Sequence, residues 1–178
     1  MNGNNIDFIR LMQDFLAVAA PSGAALRNQE RGVLKVVQNQ LKTVQLRGVP
    51  FDTAVSYRRW LDRQTQKMLQ AMTVKVEPWG AARKALNLFM RSCICDHYLR
   101  SEYRLERIER LAEIPLDSIV ARALKEKPGG DQLPAWPGLK WLTKDQNDRF
   151  QAFAAEYAKQ RRLPATVYLD NYLWLDNR

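Results

Sequence analysis

Three short stretches of the chain carry residue types that can do acid–base or nucleophilic chemistry. The first is Gly80-Ala81-Ala82-Arg83-Lys84, in which the lysine lies about one turn inside a predicted helix. A glycine at a helix start lets backbone amides approach an anion, which the positive end of the helix also favours. The Lys84 amine is a potential nucleophile. Taken alone, the lysine fits a solvated helix surface better.

The second stretch, Ile114-Pro115-Leu116-Asp117, places an aspartate at the start of another predicted helix. Its apolar neighbours indicate that Asp117 faces a protein interior or a cleft. A carboxylate there can stabilise positive charge as a glycosidic bond breaks, or move a proton to or from an amine. Taken alone, an aspartate at this position is most often only a helix N-cap.

The third stretch is Leu169-Asp170-Asn171-Tyr172-Leu173-Trp174, near the end of the chain. Asp170 and Trp174 are four positions apart, so a helix puts them on one face. An indole can stack on a nucleobase while a carboxylate accepts a hydrogen bond from its exocyclic amine. An N-cap and a core tryptophan would explain the same residues. The order and spacing of the three stretches therefore carry the functional interpretation.

The elements that must position these residues are predicted to be helices throughout. Apolar residues recur at spacings of three and four, and alternating or β-branched runs are scarce, so the fold class is all-α. We expect one domain over residues 1–178, with an N-terminal helical part (1–77), hairpin and catalytic helices (78–127) and C-terminal helices (128–178), as two small lobes around a cleft. The predicted helices are 6–20, 24–46, 53–72, 81–103, a short one within 104–113, 117–127, 144–162 and one from about 170.

The charge of the chain favours an anionic partner. Lys and Arg total 28 against 19 acidic residues, for a net charge of +9. Such a surplus supports binding to nucleic acid, although many soluble domains are basic without binding it. Arg58, Arg59 and Arg63 share one face of the third predicted helix and are candidate phosphate contacts.

Other classes of protein are disfavoured. Cys93, Cys95 and His97 do not make a zinc site, which normally takes about four ligands, so we predict neither metal nor cofactor. No apolar run approaches the roughly 18 residues that span a bilayer. The N-terminal residues lack the pattern of a signal peptide. We therefore expect a cytoplasmic monomer without membrane contact.

Taken together, the three stretches resemble the helix-hairpin-helix DNA glycosylase superfamily. Lys84 and Asp117 lie 33 positions apart, and in that superfamily a hairpin lysine is the nucleophile and an aspartate at the next helix start is the essential acid. The long gap, the Ile-Pro pair before Asp117 and the final Leu-Asp-x-x-x-Trp motif are similar to the archaeal 8-oxoguanine DNA glycosylase branch. The resemblance covers about residues 75–178, and Ala82 stands where the hairpin has its second glycine.

The resemblance implies a role for each group. Lys84 and Asp117 would cut a base from its sugar, and Asp170 and Trp174 would line the base pocket. Phosphates of double-stranded DNA would be held by the remaining candidates, which are Gly80, Arg83, Arg58, Arg59 and Arg63.

Several points stay open at this stage. The substrate is either 8-oxoguanine or a hypermodified cytosine, such as glucosylated hydroxymethylcytosine in phage DNA, and AP-lyase activity is an open addition. A non-catalytic helical DNA-binding protein explains the charge and the helices without any chemistry. A scaffold that uses its arginines on an acidic protein is a further alternative.

Overall fold

In the computed structural model, residues 3–22, 26, 30–74 and 78–176 are described, without the side chains at 3–6, 174 and 176. Over these ranges the chain is all-α, with eight α-helices, short 3-10 turns and no strand. The helices are Gly3–Ala19 (α1), Val33–Lys42 (α2), Ala54–Ala71 (α3), Trp79–Cys95 (α4), His97–Tyr103 (α5), Ser118–Lys125 (α6), Lys144–Gln160 (α7) and Leu169–Asp176 (α8).

The helix starts that agree best with the sequence prediction are those with a side-chain N-cap. Thr53 caps α3 and Thr143 caps α7, and in each case the hydroxyl accepts a hydrogen bond from a backbone amide three residues later. A threonine in this role satisfies one of the unpaired amides of the first turn. These two helices therefore begin and end within about two residues of their predicted bounds.

Three predicted helices differ from the structure. The helix predicted over 24–46 is described only from Val33 to Lys42, after Gly32 at a φ of 92°, and residues 24, 25 and 27–29 lie outside the described part. The helix predicted over 81–103 is divided into α4 and α5, because Asp96 is extended and its carboxylate accepts from the Leu99 amide. The segment 104–113 forms two 3-10 turns after Arg104 ends α5 in the left-handed region.

The buried apolar side chains form two clusters. The first gathers α1 to α5, and the second gathers residues from Ile114 to Leu173. Helix α4 is central because it packs against α1, α2, α3, α5 and α7. The chain passes from the first cluster to the second through the buried, non-helical segment 112–116. Asp117 directly follows this segment, so the connection between the clusters brings that carboxylate to α4.

The structure bears on only part of the predictions about location, cofactors and assembly. No helix in the described ranges is both long and apolar enough to cross a bilayer. Among the same residues, no group of three or more His, Cys, Asp or Glu side chains is placed to hold a metal ion. The single domain over 1–178, the cytoplasmic location, the monomeric state and the lack of a cofactor stay predictions.

Candidate active site

An amine and a carboxylate from distant parts of the chain meet between α4 and α6. Lys84 lies in the second turn of α4, and Asp117 is the residue immediately before α6. The Lys84 Nζ is 3.1 Å from the Asp117 Oδ2. The lysine side chain is 8% exposed and the aspartate side chain 28% exposed, so the pair is enclosed on the lysine side and reachable on the aspartate side.

The local structure explains why Asp117 presents one oxygen to the lysine. Its Oδ1 accepts hydrogen bonds of 2.9 Å from the backbone amides of Ile119 and Val120, as an N-cap does. Pro115 disfavours the helical conformation at Ile114, and residues 112–117 are non-helical. The cap fixes the carboxylate, and Oδ2 faces Lys84. The structure thus brings together the two residues that the sequence selects, while their chemical role stays a prediction.

A second charged pair lies beside the first. The guanidinium of Arg91 donates to the Oδ2 of Asp170 in α8, and Asn171 is a further acceptor at 3.4 Å. Burial raises the pKa of Asp170, the Arg91 charge lowers it, the Asp117 charge raises it again and the Lys84 charge lowers it. Asp170 therefore shares the electrostatic environment of the Lys84–Asp117 pair.

Sequence reasoning missed Arg91. It lies seven residues after Lys84, or about two turns, so both side chains emerge from the same side of α4. The spacing of seven residues from Lys84 could have indicated Arg91. It is informative only once the elements that pack against this face of α4 are known. With Arg91, the site contains two cations and two carboxylates.

The raised pKa of Asp170 gives a stability prediction. Between its ordinary value near 3.8 and its raised value, the carboxyl ionises in the unfolded chain but stays protonated in the folded one. The free energy of unfolding therefore falls as the pH rises from the ordinary pKa to the raised one. At higher pH the contribution of this group stays at that lower level. We expect Asp170→Asn to match the wild type in acid and to be more stable at neutral pH, as measured by urea unfolding across the pH range. Lower stability of the variant at neutral pH would show that the bond to Arg91 outweighs the burial.

Three predicted phosphate contacts are exposed as expected. Arg58, Arg59 and Arg63 extend from the outer face of α3. Arg58 and Arg59 line an open cavity of about 340 Å³ that also includes Asp62 and Lys144. Their contact with DNA stays a prediction.

Gly80 requires a correction, because it does not present its backbone to a phosphate. It is buried in the first turn of α4, beneath the chain at residues 139–142. A Cβ on this residue would lie 2.5 Å from the Leu139 carbonyl oxygen and 2.7 Å from the Leu142 Cβ. The glycine is required here for close packing of the chain and not for binding an anion.

Arg83 requires a second correction. Its side chain is 1% exposed, because this position of α4 faces α3. The guanidinium is paired with Asp62 and Glu113, and it donates a 3.0 Å hydrogen bond to the Thr65 hydroxyl. The prediction that Arg83 grips DNA is therefore wrong.

The last predicted site residue lies partly outside the description. Trp174 belongs to α8, but its side chain is not among the described residues. Asp170 lies in the first turn of the same helix and is paired with Arg91. The stacking role of Trp174 stays a prediction.

Comparisons of the chain with protein-family models, curated proteins and solved structures found no match. The functional interpretation therefore depends on the geometry of the site. A carboxylate 3.1 Å from an amine can accept its proton, and the freed amine can attack an electrophilic carbon. The neighbouring Arg91–Asp170 pair supplies a hydrogen-bond donor and an acceptor near the Lys84–Asp117 pair.

Proposed function

We propose that the protein is a DNA glycosylase that removes a modified base from double-stranded DNA. The observation that carries this proposal is the 3.1 Å contact between Lys84 and Asp117, two groups 33 positions apart in sequence. A lysine nucleophile needs an adjacent base, and an oxocarbenium-like sugar needs a nearby negative charge. The same carboxylate supplies both.

The proposed reaction begins when the modified nucleotide rotates out of the duplex into the site. Asp117 accepts a proton from the Lys84 ammonium, and the freed nitrogen lone pair attacks C1′ of the sugar. The bond between C1′ and the base breaks, and its electron pair leaves with the base, which takes up the proton that Asp117 had accepted from Lys84. Asp117 is then ionised again, and its negative charge stabilises the positive charge that develops on the sugar.

Two outcomes can follow the release of the base. With lysine attached to C1′, opening of the sugar ring gives a Schiff base, and β-elimination then cleaves the strand. If water attacks C1′ in place of the amine, the product is an abasic site in an intact strand. The enclosed position of Lys84 against Asp117 favours attack by the lysine, and so the Schiff base and strand cleavage.

Recognition of the base is assigned to Asp170, Arg91 and Trp174. The Arg91–Asp170 pair offers a donor and an acceptor, which suits a nucleobase with both kinds of group on one edge. Trp174 would stack on the ring. Both 8-oxoguanine and glucosylated hydroxymethylcytosine present such edges, and both are retained as substrates.

The helix-hairpin-helix form of the fold is part of this proposal. Helix α4, which carries Lys84, would belong to the hairpin unit predicted within 78–127, and α3 packs along it. Because Gly80 and Arg83 are buried, the hairpin cannot grip the phosphate in the expected way. The exposed arginines of α3 would take over that contact.

A panel of labelled duplexes tests the proposal. Each duplex carries one 8-oxoguanine, uracil, alkylated base or glucosylated hydroxymethylcytosine, and alkali-labile sites are counted after incubation with the protein. We expect excision from one of these duplexes, and none with Asp117→Asn. Binding without base release on every duplex would overturn the glycosylase proposal and leave the non-catalytic DNA-binding protein. No salt-dependent binding to DNA would leave the scaffold.

The exposed arginines give a prediction on DNA affinity. Each phosphate contact contributes about −0.9 to the slope of log affinity against log salt concentration. Arg58→Ala with Arg59→Ala should therefore make the slope shallower by about 2, equally on modified and plain duplex. Fluorescence anisotropy at several salt concentrations measures this slope.

A matched variant controls for the loss of two charges. Arg31 and Lys35 are exposed basic residues before and within α2. Their double replacement by alanine removes the same charge without touching α3. An equal change of slope in both double variants would contradict a specific contact through α3.

A further inference from the structure

A buried polar cluster lies between α4 and the segment that leads to Asp117. We call Glu113, Arg83 and Asn87 the Glu113 cluster. The Glu113 Oε2 accepts a 3.0 Å hydrogen bond from the Asn87 side chain and lies 3.3 Å from the Arg83 Nε. All three residues are buried, with 7% exposure at most.

Stability alone does not explain this cluster. Removing two charges from water costs several kcal/mol, which their attraction offsets only when every polar atom is satisfied. The Glu113 Oε1, the Asn87 Oδ1 and the Arg83 Nε are buried without a hydrogen-bond partner among the described residues, so Arg83 meets Glu113 as an ion pair. Apolar residues of similar volume would therefore hold the same elements together at least as well.

The position of the cluster in the chain suggests its use. Arg83 directly precedes Lys84, and Asn87 follows one turn later on α4. Glu113 lies four residues before Asp117, within the buried segment 112–116, which has no regular hydrogen-bond ladder. The same helix thus holds this segment at Glu113 and meets it again at Asp117.

A second contact holds the segment from its other side. Gln151 of α7 accepts a 3.0 Å hydrogen bond from the Ile114 amide and donates one of 2.9 Å to the Ile114 carbonyl. This contact fixes the segment against α7, whereas the ion pair and hydrogen bond of the Glu113 cluster tie residue 113 to α4. The hydrogen bond from Asn87 to the Glu113 carboxylate is charge-assisted, and such a bond fixes distance and direction, which an apolar contact does not.

We propose that Glu113 is a positioning residue. Held by Arg83 and Asn87, its carboxylate sets where the segment lies along α4, and this keeps the Asp117 Oδ2 against the Lys84 Nζ. The inference rests on the proposed glycosylase function for its effect on rate. It assigns the buried Arg83 a role in the geometry of the site in place of a contact with DNA.

The test separates position from stability with a double variant. Glu113→Leu alone leaves Arg83 with one fewer partner and should destabilise the protein. Arg83→Met combined with Glu113→Leu should recover stability, because an apolar pair avoids the burial of charge. Asp62, the other partner of Arg83, also lies 3.6 Å from the Lys144 amine, so it keeps a cationic partner when Arg83 is replaced.

We use the duplex from which the wild type excises a base. The affinity of the double variant for this duplex should stay within about threefold of the wild-type value, while its excision rate at saturating protein should fall about a hundredfold. Such a loss corresponds to a misplacement of about 1 Å. Glu113→Gln, which keeps the size of the side chain, should also slow excision without weakening binding. Excision at the wild-type rate by either variant would overturn the inference.

A control variant measures the effect of lost stability alone. Gln13 of α1 is 2% exposed and donates a 2.8 Å hydrogen bond to the Val44 carbonyl, and neither residue belongs to the Lys84–Asp117 site. Gln13→Met should lower the denaturation midpoint and leave excision unchanged. If it slows excision as much as the cluster variants do, their effect is one of stability and the inference fails.

A crystal structure of the double variant gives a readout that does not depend on activity. The inference predicts that the Lys84 Nζ and the Asp117 Oδ2 separate beyond ion-pair distance. An unchanged 3.1 Å contact would overturn it. If the wild type excises no base of the panel but the contact separates in the variant, the proposed function fails while the positioning role holds.

Discussion

Asp117→Asn is expected to abolish base excision while leaving the fold and the affinity for DNA nearly intact. An asparagine oxygen can still accept from the amides of Ile119 and Val120, so the N-cap of α6 is retained. The variant loses the charge that accepts the Lys84 proton and stabilises the sugar. General acid–base groups contribute about 10² to 10⁴ in rate, and a loss of that size is expected here.

Single-turnover excision at saturating protein measures the rate, and anisotropy on the same duplex measures binding. Binding should stay within about tenfold of the wild type, or about 1.4 kcal/mol. Asp96→Asn is the matched control, because Asp96 is also an N-cap whose carboxylate accepts a backbone hydrogen bond, from Leu99 at the start of α5. That variant should excise at the wild-type rate. Retained excision by Asp117→Asn would refute the role of the carboxylate.

The sequence predicts the parts of the site that depend on local signals. Asp117 lies two residues after a proline and precedes an apolar helix, so the local pattern predicts the N-cap at Asp117 or Ser118, and the structure has it at Asp117. The pairing of Asp117 with Lys84 was predictable only through the resemblance of the three stretches. Spacing along the chain carries no information on how α4 and α6 approach each other.

The errors come from neighbours that local patterns do not reveal. Arg83 and Lys84 are consecutive, so their side chains leave α4 about 100° apart. One faces α3 and its Asp62, and the other faces Asp117, but the sequence alone does not say which face is covered. Gly80 is buried by residues far along the chain for the same reason.

Helix boundaries show the same limit at a smaller scale. The apolar spacing continues through Asp96, so periodicity alone predicts one helix where the structure has two. An aspartate inside a helical pattern is a potential N-cap, and here its hydrogen bond to the Leu99 amide starts α5. A side chain that can hydrogen-bond to the backbone outweighs a periodic pattern when the tertiary structure requires a bend.

Lys84→Gln is expected to eliminate the covalent adduct between protein and DNA. In the proposed reaction the lysine and the opened sugar form an imine, which borohydride reduces to a stable amine by adding hydride to carbon. Glutamine is one atom shorter than lysine but keeps an N–H donor for the Asp117 carboxylate, and its amide nitrogen is not a nucleophile. The wild type should give a borohydride-dependent band of protein joined to the modified duplex, and the variant none.

Lys125→Gln is the control for the loss of a half-buried lysine. Its amine lies in α6 and donates to the carbonyls of Leu133 and Pro134, so it should not contribute to the adduct. Loss of both adduct and excision in Lys84→Gln, with both retained in Lys125→Gln, supports attack by Lys84. Excision that persists in Lys84→Gln without any adduct means that water is the nucleophile and that Asp117 activates it. An adduct that persists in Lys84→Gln would show that another amine reacts, which contradicts the assignment of Lys84.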